Sequence, residues 1–115
     1  GPSLMKRGRY HYLFVSFDKC CAGVDSTYNV RVGRAETVAG PYVDRDGQSL
    51  LEGGGTLVLE SNERWKGPGS SEIFVEGSSR YLVYHAYDAE NSGLATLRLS
   101  ELRFDNDGWP VVTGP

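Results

Sequence analysis

The hydrophobic pattern of the chain consists of short segments in which apolar residues alternate with polar ones or occupy both faces of an extended strand. Such segments predict β-strands. Residues 9–18 (RYHYLFVSFD) are rich in aromatic and β-branched types, which suit a pleated surface. Both faces of this segment are largely apolar, and the same holds for residues 80–87 (RYLVYHAY). We therefore expect both strands to be covered on two sides. Shorter strands are predicted over residues 28–34, 56–59 and 95–104.

Turn signals separate these strands at regular intervals. Asp46-Gly47 and Asp107-Gly108 are typical turn dipeptides, and we expect breaks at Gly53–Gly55 and at Gly67-Pro68-Gly69. Glycine supplies 15 of the 115 residues, about twice its usual share of roughly 7%. This composition disfavours long helices and predicts an all-β chain.

An internal repeat organises the strands. Residues 9–18 align with residues 79–88 at an offset of 70, and each segment ends in an aromatic residue followed by Asp. We interpret the chain as a single partial domain, residues 1–115, with approximate repeat units 3–66 and 67–115. Each unit is predicted to be a four-stranded blade of a β-propeller, whose faces are buried between neighbouring blades. The alternative is two hairpin units of a β-sandwich.

Two blades alone would leave two large apolar faces open. Exposed patches of that size usually mark an interface. We therefore predict a homo-oligomer, in which two or three copies would give roughly four or six blades, within the range known for propellers.

Composition and charge exclude several classes of function. The formal net charge is −3 and the pI about 5.3, which argues against a nucleic-acid partner. No apolar run approaches the roughly 20 residues of a membrane span, so no membrane partner is expected. The two cysteines, Cys20 and Cys21, are adjacent, so they cannot staple two elements together, and their spacing to the two histidines does not predict a zinc site.

Several motifs in order carry a resemblance to a known family. They are CCAGVDSTY, GPYVDRDG, RWKGPG, YLVYHAYDA and DGWPVV. The chain resembles the C-terminal part of family 43 glycoside hydrolases, with the greatest likeness to endo-α-1,5-L-arabinanases. The resemblance implies about two blades of a five-bladed β-propeller and an arabino-oligosaccharide as ligand. Similar proteins are secreted or cytoplasmic, so the compartment stays open.

The resemblance also implies the chemistry of the family, which is inverting hydrolysis by a carboxylate base and a carboxylic acid. Two catalytic aspartates come from earlier blades. The acid lies in a Glu-small-Pro motif whose last two positions match Gly1 and Pro2, which puts the Glu one position before Gly1. No residue of this sequence therefore inherits a catalytic role, and we expect the chain to be inactive alone.

A calcium or sodium ion near the central channel is a further implication of the resemblance. The family reads Gly-Pro-Gly-His at the position of residues 67–70, and here Ser70 replaces the His. A hydroxyl is a poorer ligand than imidazole, which argues against the ion. His85 lies inside an apolar strand, which favours a hydrogen-bonded core histidine; the alternative is a role in an ion or water network, because His85 matches a histidine of the family near the same channel.

The loop after the first long strand is the candidate substrate contact. By resemblance, Asp18, Cys20 and Cys21 border the substrate groove and would pack against sugar. The alternatives are a turn-capping carboxylate and a structural loop. Asp18 and Asp88, with Glu72 as a third member, form a conceivable new acid/base pair. Four aromatic residues could stack on sugars or fill the space between blades: Tyr42, Trp65, Tyr87 and Trp109.

Two functional classes follow. The first is a fragment or shortened relative of a family 43 hydrolase for α-1,5-linked arabinan. The second is a self-assembling propeller module with weak carbohydrate binding or a purely structural role.

Overall fold

Two four-stranded antiparallel sheets make up the computed structural model, which describes all 115 residues. The first sheet contains β1 (Ser3–Arg7), β2 (Tyr10–Phe17), β3 (Asn29–Ala35) and β4 (Thr56–Leu59). The second contains β5 (Trp65–Glu76), β6 (Ser79–Asp88), β7 (Leu94–Phe104) and β8 (Pro110–Val112). Three short 3-10 turns lie in loops, at Gly23–Asp25, Leu50–Glu52 and Ala89–Asn91. No helix has the length and apolar character required to cross a bilayer.

Each sheet is a meander in which consecutive strands are neighbours, in the orders β1-β2-β3-β4 and β5-β6-β7-β8. Neither sheet contains the long return connection of the Greek keys that most β-sandwiches use. The equivalent middle strands of the predicted repeat, β2 and β6, occupy the same place in their sheets. This arrangement favours two propeller blades over two halves of a sandwich.

One hydrophobic core lies between the two sheets. The inward side chains of β2, Tyr12 and Phe14, are buried against Leu82 and Tyr84 of β6. The hydroxyl of Tyr12 donates to the carbonyl of Gly108 at 2.6 Å, which joins the first sheet to the β7–β8 turn of the second. Trp65 and Trp109 complete this core.

The expected break at Gly67-Pro68-Gly69 is wrong, because these residues lie inside β5. The strand continues through them by irregular pairing, with register shifts between Lys66 and Gly69 and between Gly69 and Glu72. Glycine and proline weaken a regular ladder but are accommodated where the strand bulges. Three strands were missed for different reasons: β1 (SLMKR) has no β-branched or aromatic residue, β5 contains the Gly-Pro-Gly run, and β8 is only 3 residues long.

The outer faces of both sheets carry exposed apolar side chains, as the blade interpretation predicts. On the first sheet, Leu4 and Leu57 are 46% and 41% exposed. On the second sheet, Leu97 is 76% exposed and Leu99 54%. Register places Leu99 of β7 beside Val83 of β6, so the apolar surface extends across these two strands, and Glu72 of β5 lies beyond Val83.

Candidate carbohydrate-binding site

The loop between β2 and β3, residues 18–28, leaves the end of the first sheet at which β1 begins. Cys20 and Cys21 in this loop form a disulfide bond with each other. Neither cysteine is therefore a free thiol, and any sulfur atom that contacts solvent belongs to the disulfide. This corrects the expectation that a thiol meets sugar, and it excludes a cysteine nucleophile in this state. Cys21 is exposed, so the disulfide is presented at the surface.

Hydrogen bonds within the loop fix its shape. The backbone N–H groups of Thr27 and Tyr28 both donate to the carbonyl of Lys19 at 2.8 Å. The N–H of Ala22 donates to the hydroxyl of Ser26 at 3.0 Å, and Ser26 is buried. Cys21 has a positive φ of 65°, a conformation that such a closed loop must support. The loop is thus held in one shape by its own hydrogen bonds.

The loop is also tied to the second sheet. The backbone N–H of Cys21 donates to the hydroxyl of Tyr87 on β6 at 2.9 Å. The same hydroxyl lies 3.2 Å from Nε2 of His85. Backbone contacts are close as well, since a Cβ on Gly23 would lie 3.7 Å from the carbonyl oxygen of Gly93 in the β6–β7 connection. The candidate site therefore spans both blades.

His85 lies half-buried between two aromatic rings. The Tyr28 ring centroid is 6.0 Å away and that of Tyr87 is 5.2 Å away. Burial lowers the pKa of His85 below its ordinary value, and the positive amino group of Gly1 lowers it further. Gly69 provides the room for this cluster, because a Cβ there would come within 2.0 Å of the Tyr28 ring.

Ser70 is exposed at the position where the resemblance implies a histidine. Its backbone N–H donates to the hydroxyl of Ser16 at 2.8 Å, and its own hydroxyl lies 3.5 Å from the amino nitrogen of Gly1. No group of three or more His, Cys, Asp or Glu side chains in the chain could hold a metal ion. The residues present near Ser70 and His85 therefore do not fit an ion site of their own, since hydroxyls and one hydrogen-bonded imidazole offer no anionic ligand.

The two carboxylates of the conceivable acid/base pair are held by different partners. Asp18, at a positive φ of 69°, accepts from the side-chain amide of Asn29 at 2.8 Å. Asp88 is buried and bonded by both oxygens to Arg64 at 2.9 and 3.0 Å. Asp88 also caps the turn that follows by accepting from the N–H of Glu90. The bonds from Arg64 lower the pKa of Asp88, which keeps it ionised and unsuited to donate a proton.

Glu72, the third member of that set, is on the outer face of the second sheet. Its carboxylate accepts from the N–H of Ile73 at 3.2 Å, and its strand neighbour is Val83. The four candidate sugar-stacking aromatics are engaged within the chain. Trp65, Tyr87 and Trp109 are buried, and the hydroxyl of Tyr42 donates to the carbonyl of Val38 at 2.8 Å.

A groove of about 540 Å³ lies at the opposite ends of the strands, lined by the first residue of β2, the end of β3 with the loop after it, and the β7–β8 turn. The guanidinium of Arg34 forms part of the groove wall and lies 4.0 Å from the Tyr10 ring centroid and 4.2 Å from that of Trp109. Arg34 also donates to the carbonyl of Asp107 at 2.9 Å. One face of each ring thus lies against a protein cation, which occupies a surface on which a sugar could otherwise stack.

The contacts of Tyr87 and Tyr28 with His85 were not predicted from the sequence. The YHAY segment places His85 and Tyr87 two residues apart on one strand, and side chains at that spacing share a face. That spacing was the available signal. The approach of the Cys21 amide to Tyr87, 66 residues away, had no local signal.

Comparison with known proteins identifies the family. The model of "Glycosyl hydrolases family 43" matches residues 1–110. The chain belongs to family 43 of the glycosyl hydrolases.

Three relatives show the sequence identity and the coverage of this match. An extracellular endo-α-(1→5)-L-arabinanase of Bacillus subtilis is 49% identical over 109 residues, covering 95% of this chain and 32% of the relative. An extracellular exo-α-(1→5)-L-arabinofuranosidase of Cellvibrio japonicus is 41% identical over 111 residues, with coverages of 96% and 32%. The structure of Cellvibrio cellulosa α-L-arabinanase with arabinohexaose superposes with a TM-score of 0.94 at 41% identity, covering 97% of this chain and 36% of that one.

These comparisons confirm the predicted fold class. The arabinanases that the chain matches are five-bladed β-propellers, so its two sheets are two blades of that architecture. The chain spans about a third of the length of the relatives it matches. One of those relatives binds arabinohexaose.

Proposed function

We propose that this chain forms part of the carbohydrate-binding face of a hydrolase for α-1,5-linked arabinan. The observation that carries the proposal is the exposed Cys20–Cys21 disulfide on a rigid loop, in a chain that matches arabinanases along nearly its whole length. The relative solved with arabinohexaose supports an α-1,5-linked arabino-oligosaccharide as the ligand.

The proposed contact surface consists of Asp18, Cys20 and Cys21. The disulfide presents a compact apolar surface that suits the carbon face of a furanose ring. One oxygen of Asp18 is engaged by Asn29, and the other makes no hydrogen bond within the chain. An ionised carboxylate has acceptor capacity for sugar hydroxyls beyond that one bond.

We further propose that the 115 residues bind sugar without hydrolysing it. An inverting mechanism needs one carboxylic acid whose pKa is raised. The carboxyl groups with a displaced pKa are Asp44, Asp88 and Asp105, and each is displaced downward by hydrogen bonds to its ionised form. Asp88 is in addition occupied by Arg64. None of the three can serve as the proton donor.

Isothermal titration with arabinohexaose tests the binding surface. We expect Cys20→Ser/Cys21→Ser and Asp18→Ala to weaken binding, while Leu51→Ala, at a side chain 94% exposed in a distant loop, leaves it unchanged. Absence of binding by the unaltered chain, or equal binding by all variants, would contradict the proposal. Release of sugar from linear arabinan by the chain alone would contradict the absence of hydrolysis.

A second proposal concerns assembly: the chain is one partial domain, with repeat units 3–66 and 67–115, that associates with copies of itself. The support is that both outer faces carry exposed leucines, including Leu4 and Leu97. Burying about 400 Å² of apolar surface per face contributes about 10 kcal/mol before association costs. Light scattering behind a sizing column should give two or three copies, and a folded monomer at micromolar concentration would contradict this.

A further inference from the structure

The hydroxyl of Tyr87 is the one hydrogen-bonding group that links the Cys20–Cys21 loop to the imidazole of His85. It lies 2.9 Å from the backbone nitrogen of Cys21 and 3.2 Å from Nε2 of His85. Tyr87 is 7% exposed, and its hydroxyl has no other partner in the chain. These two contacts must therefore satisfy the hydrogen-bonding capacity of a buried residue.

Proton counting determines how the two bonds run. A tyrosine hydroxyl has one hydrogen to donate and two lone pairs to accept with. The Cys21 amide can only donate, so it occupies a lone pair. If Nε2 of His85 also carried a proton, the hydroxyl hydrogen would point at no acceptor in a mostly buried place, which is costly. With Nε2 unprotonated, every group is satisfied, because the hydroxyl donates to Nε2.

From this geometry we infer that Tyr87 is a positioning residue that fixes His85 as the Nδ1–H tautomer and links that choice to the disulfide loop. A neutral imidazole with an accepting Nε2 carries its proton on Nδ1. Nδ1 makes no hydrogen bond within the chain and is not among the buried unpartnered atoms, so it is reachable from solvent. His85 thus presents a hydrogen-bond donor to solvent.

This assignment gives the site a defined polarity. The disulfide loop offers an apolar surface and the Asp18 carboxylate an acceptor, and the Nδ1–H of His85 adds a donor. A sugar hydroxyl can use both a donor and an acceptor. The assignment of the tautomer depends only on the contacts of Tyr87. The hydrogen bond from Nδ1–H to an arabino-oligosaccharide rests in addition on the proposed function.

Long-range ¹H–¹⁵N correlation spectra of the whole chain distinguish the two tautomers. At about pH 8, above the usual histidine pKa of about 6.5, we expect Nδ1 of His85 to carry the proton and Nε2 to be bare. Tyr87→Phe should shift the population toward the Nε2–H tautomer and speed hydrogen exchange at the Cys21 amide. A His85 with its proton on Nε2 in the unaltered chain overturns the inference without reference to any variant.

Tyr28→Phe is the matched control. The Tyr28 ring also contacts His85, but its hydroxyl makes no hydrogen bond to the imidazole. Its loss should leave the tautomer unchanged, and a change as large as that caused by Tyr87→Phe would show that ring packing, not the hydroxyl, sets the proton position.

Titration with arabinohexaose separates the inference from the function on which its last step rests. We expect Tyr87→Phe to weaken binding by about 2- to 10-fold, the range of one positioned hydrogen bond. If the unaltered chain shows the Nδ1–H tautomer but binds no arabinohexaose, the proposed function fails and the tautomer assignment stands. If it binds and Tyr87→Phe binds equally well, the coupling to the sugar is overturned.

Discussion

The bond between Tyr12 and Gly108 gives the sharpest test of how the two blades hold together. Tyr12 is 1% exposed, and its hydroxyl crosses from the first sheet to a turn of the second. Tyr12→Phe keeps the ring, which packs edge-on against Phe104 with centroids 5.2 Å apart, and removes only the oxygen. The substitution therefore isolates one hydrogen bond between blades.

The size of the effect follows from what remains after the substitution. A buried hydrogen bond contributes about 0.5–1.5 kcal/mol net, and a stranded partner adds a further penalty. The Gly108 carbonyl is not stranded, because Nη1 of Arg34 donates to it at 3.3 Å. We therefore expect a loss of about 1 kcal/mol in the free energy of unfolding, equivalent to about 3–6 °C in Tm for a domain of this size.

Urea unfolding followed by tryptophan fluorescence measures this loss, since Trp65 and Trp109 both lie in the core between the sheets. Protein concentration is held constant so that association does not change between samples. The matched control is Tyr81→Phe, whose hydroxyl makes no hydrogen bond and whose ring is half-buried. Equal losses in both variants, or none in Tyr12→Phe, would refute the reasoning.

Three further predictions concern packing, pH and association. Gly69→Ala should cost about 1–3 kcal/mol or more of stability by urea unfolding, since its Cβ would overlap the Tyr28 ring, and an unchanged midpoint would refute the close approach. Burial lowers the pKa of His85 in the folded chain. The contribution of its neutral imidazole to the free energy of unfolding is therefore present above the unfolded pKa of about 6.5 and is lost as pH falls through the folded pKa. An equal change in stability over that pH range in His85→Gln and in the unaltered chain would contradict this. Leu97→Lys should reduce the mass seen by light scattering, because Leu97 is 76% exposed on the outer face of the second sheet, whereas Leu51→Lys should not.

The strands with strong side-chain patterns were predictable from the sequence. Residues 9–18 and 80–87 alternate between two apolar faces, and they become β2 and β6, the middle strands of the two blades. Tyr12, Phe14, Leu82 and Tyr84 are buried between the sheets as that pattern requires. A short apolar run that is rich in β-branched and aromatic residues and bounded by turn signals is typical of a strand covered on both faces.

The strand β5 was not predictable by the same rule. Its first half contains Gly67, Pro68 and Gly69, which normally interrupt a strand. The strand passes through two left-handed residues there, Gly67 at a φ of 56° and Ser70 at a φ of 54°, and the Tyr28 ring lies against the bare backbone of Gly69. Such a close approach is a property of the folded chain and has no local signature.

The candidate site was predictable only in part. Resemblance directed attention to the loop of Asp18, Cys20 and Cys21, but sequence reasoning treated the cysteines as thiols. Adjacent cysteines bridge only when the loop adopts a suitable backbone, here with Cys21 at positive φ. The partnership of Cys21 with Tyr87 joins residues 66 positions apart, so only the packing of one blade on the other reveals it.

The most direct test of the carbohydrate-binding account is a titration of the ¹⁵N-labelled chain with arabinohexaose, followed by amide chemical shifts. The account predicts saturable shifts at residues 18–28 and around His85 and Tyr87, with Tyr10, Arg34 and Trp109 at the opposite end unaffected. No shifts at about 1 mM ligand, or shifts confined to that opposite end, would contradict it.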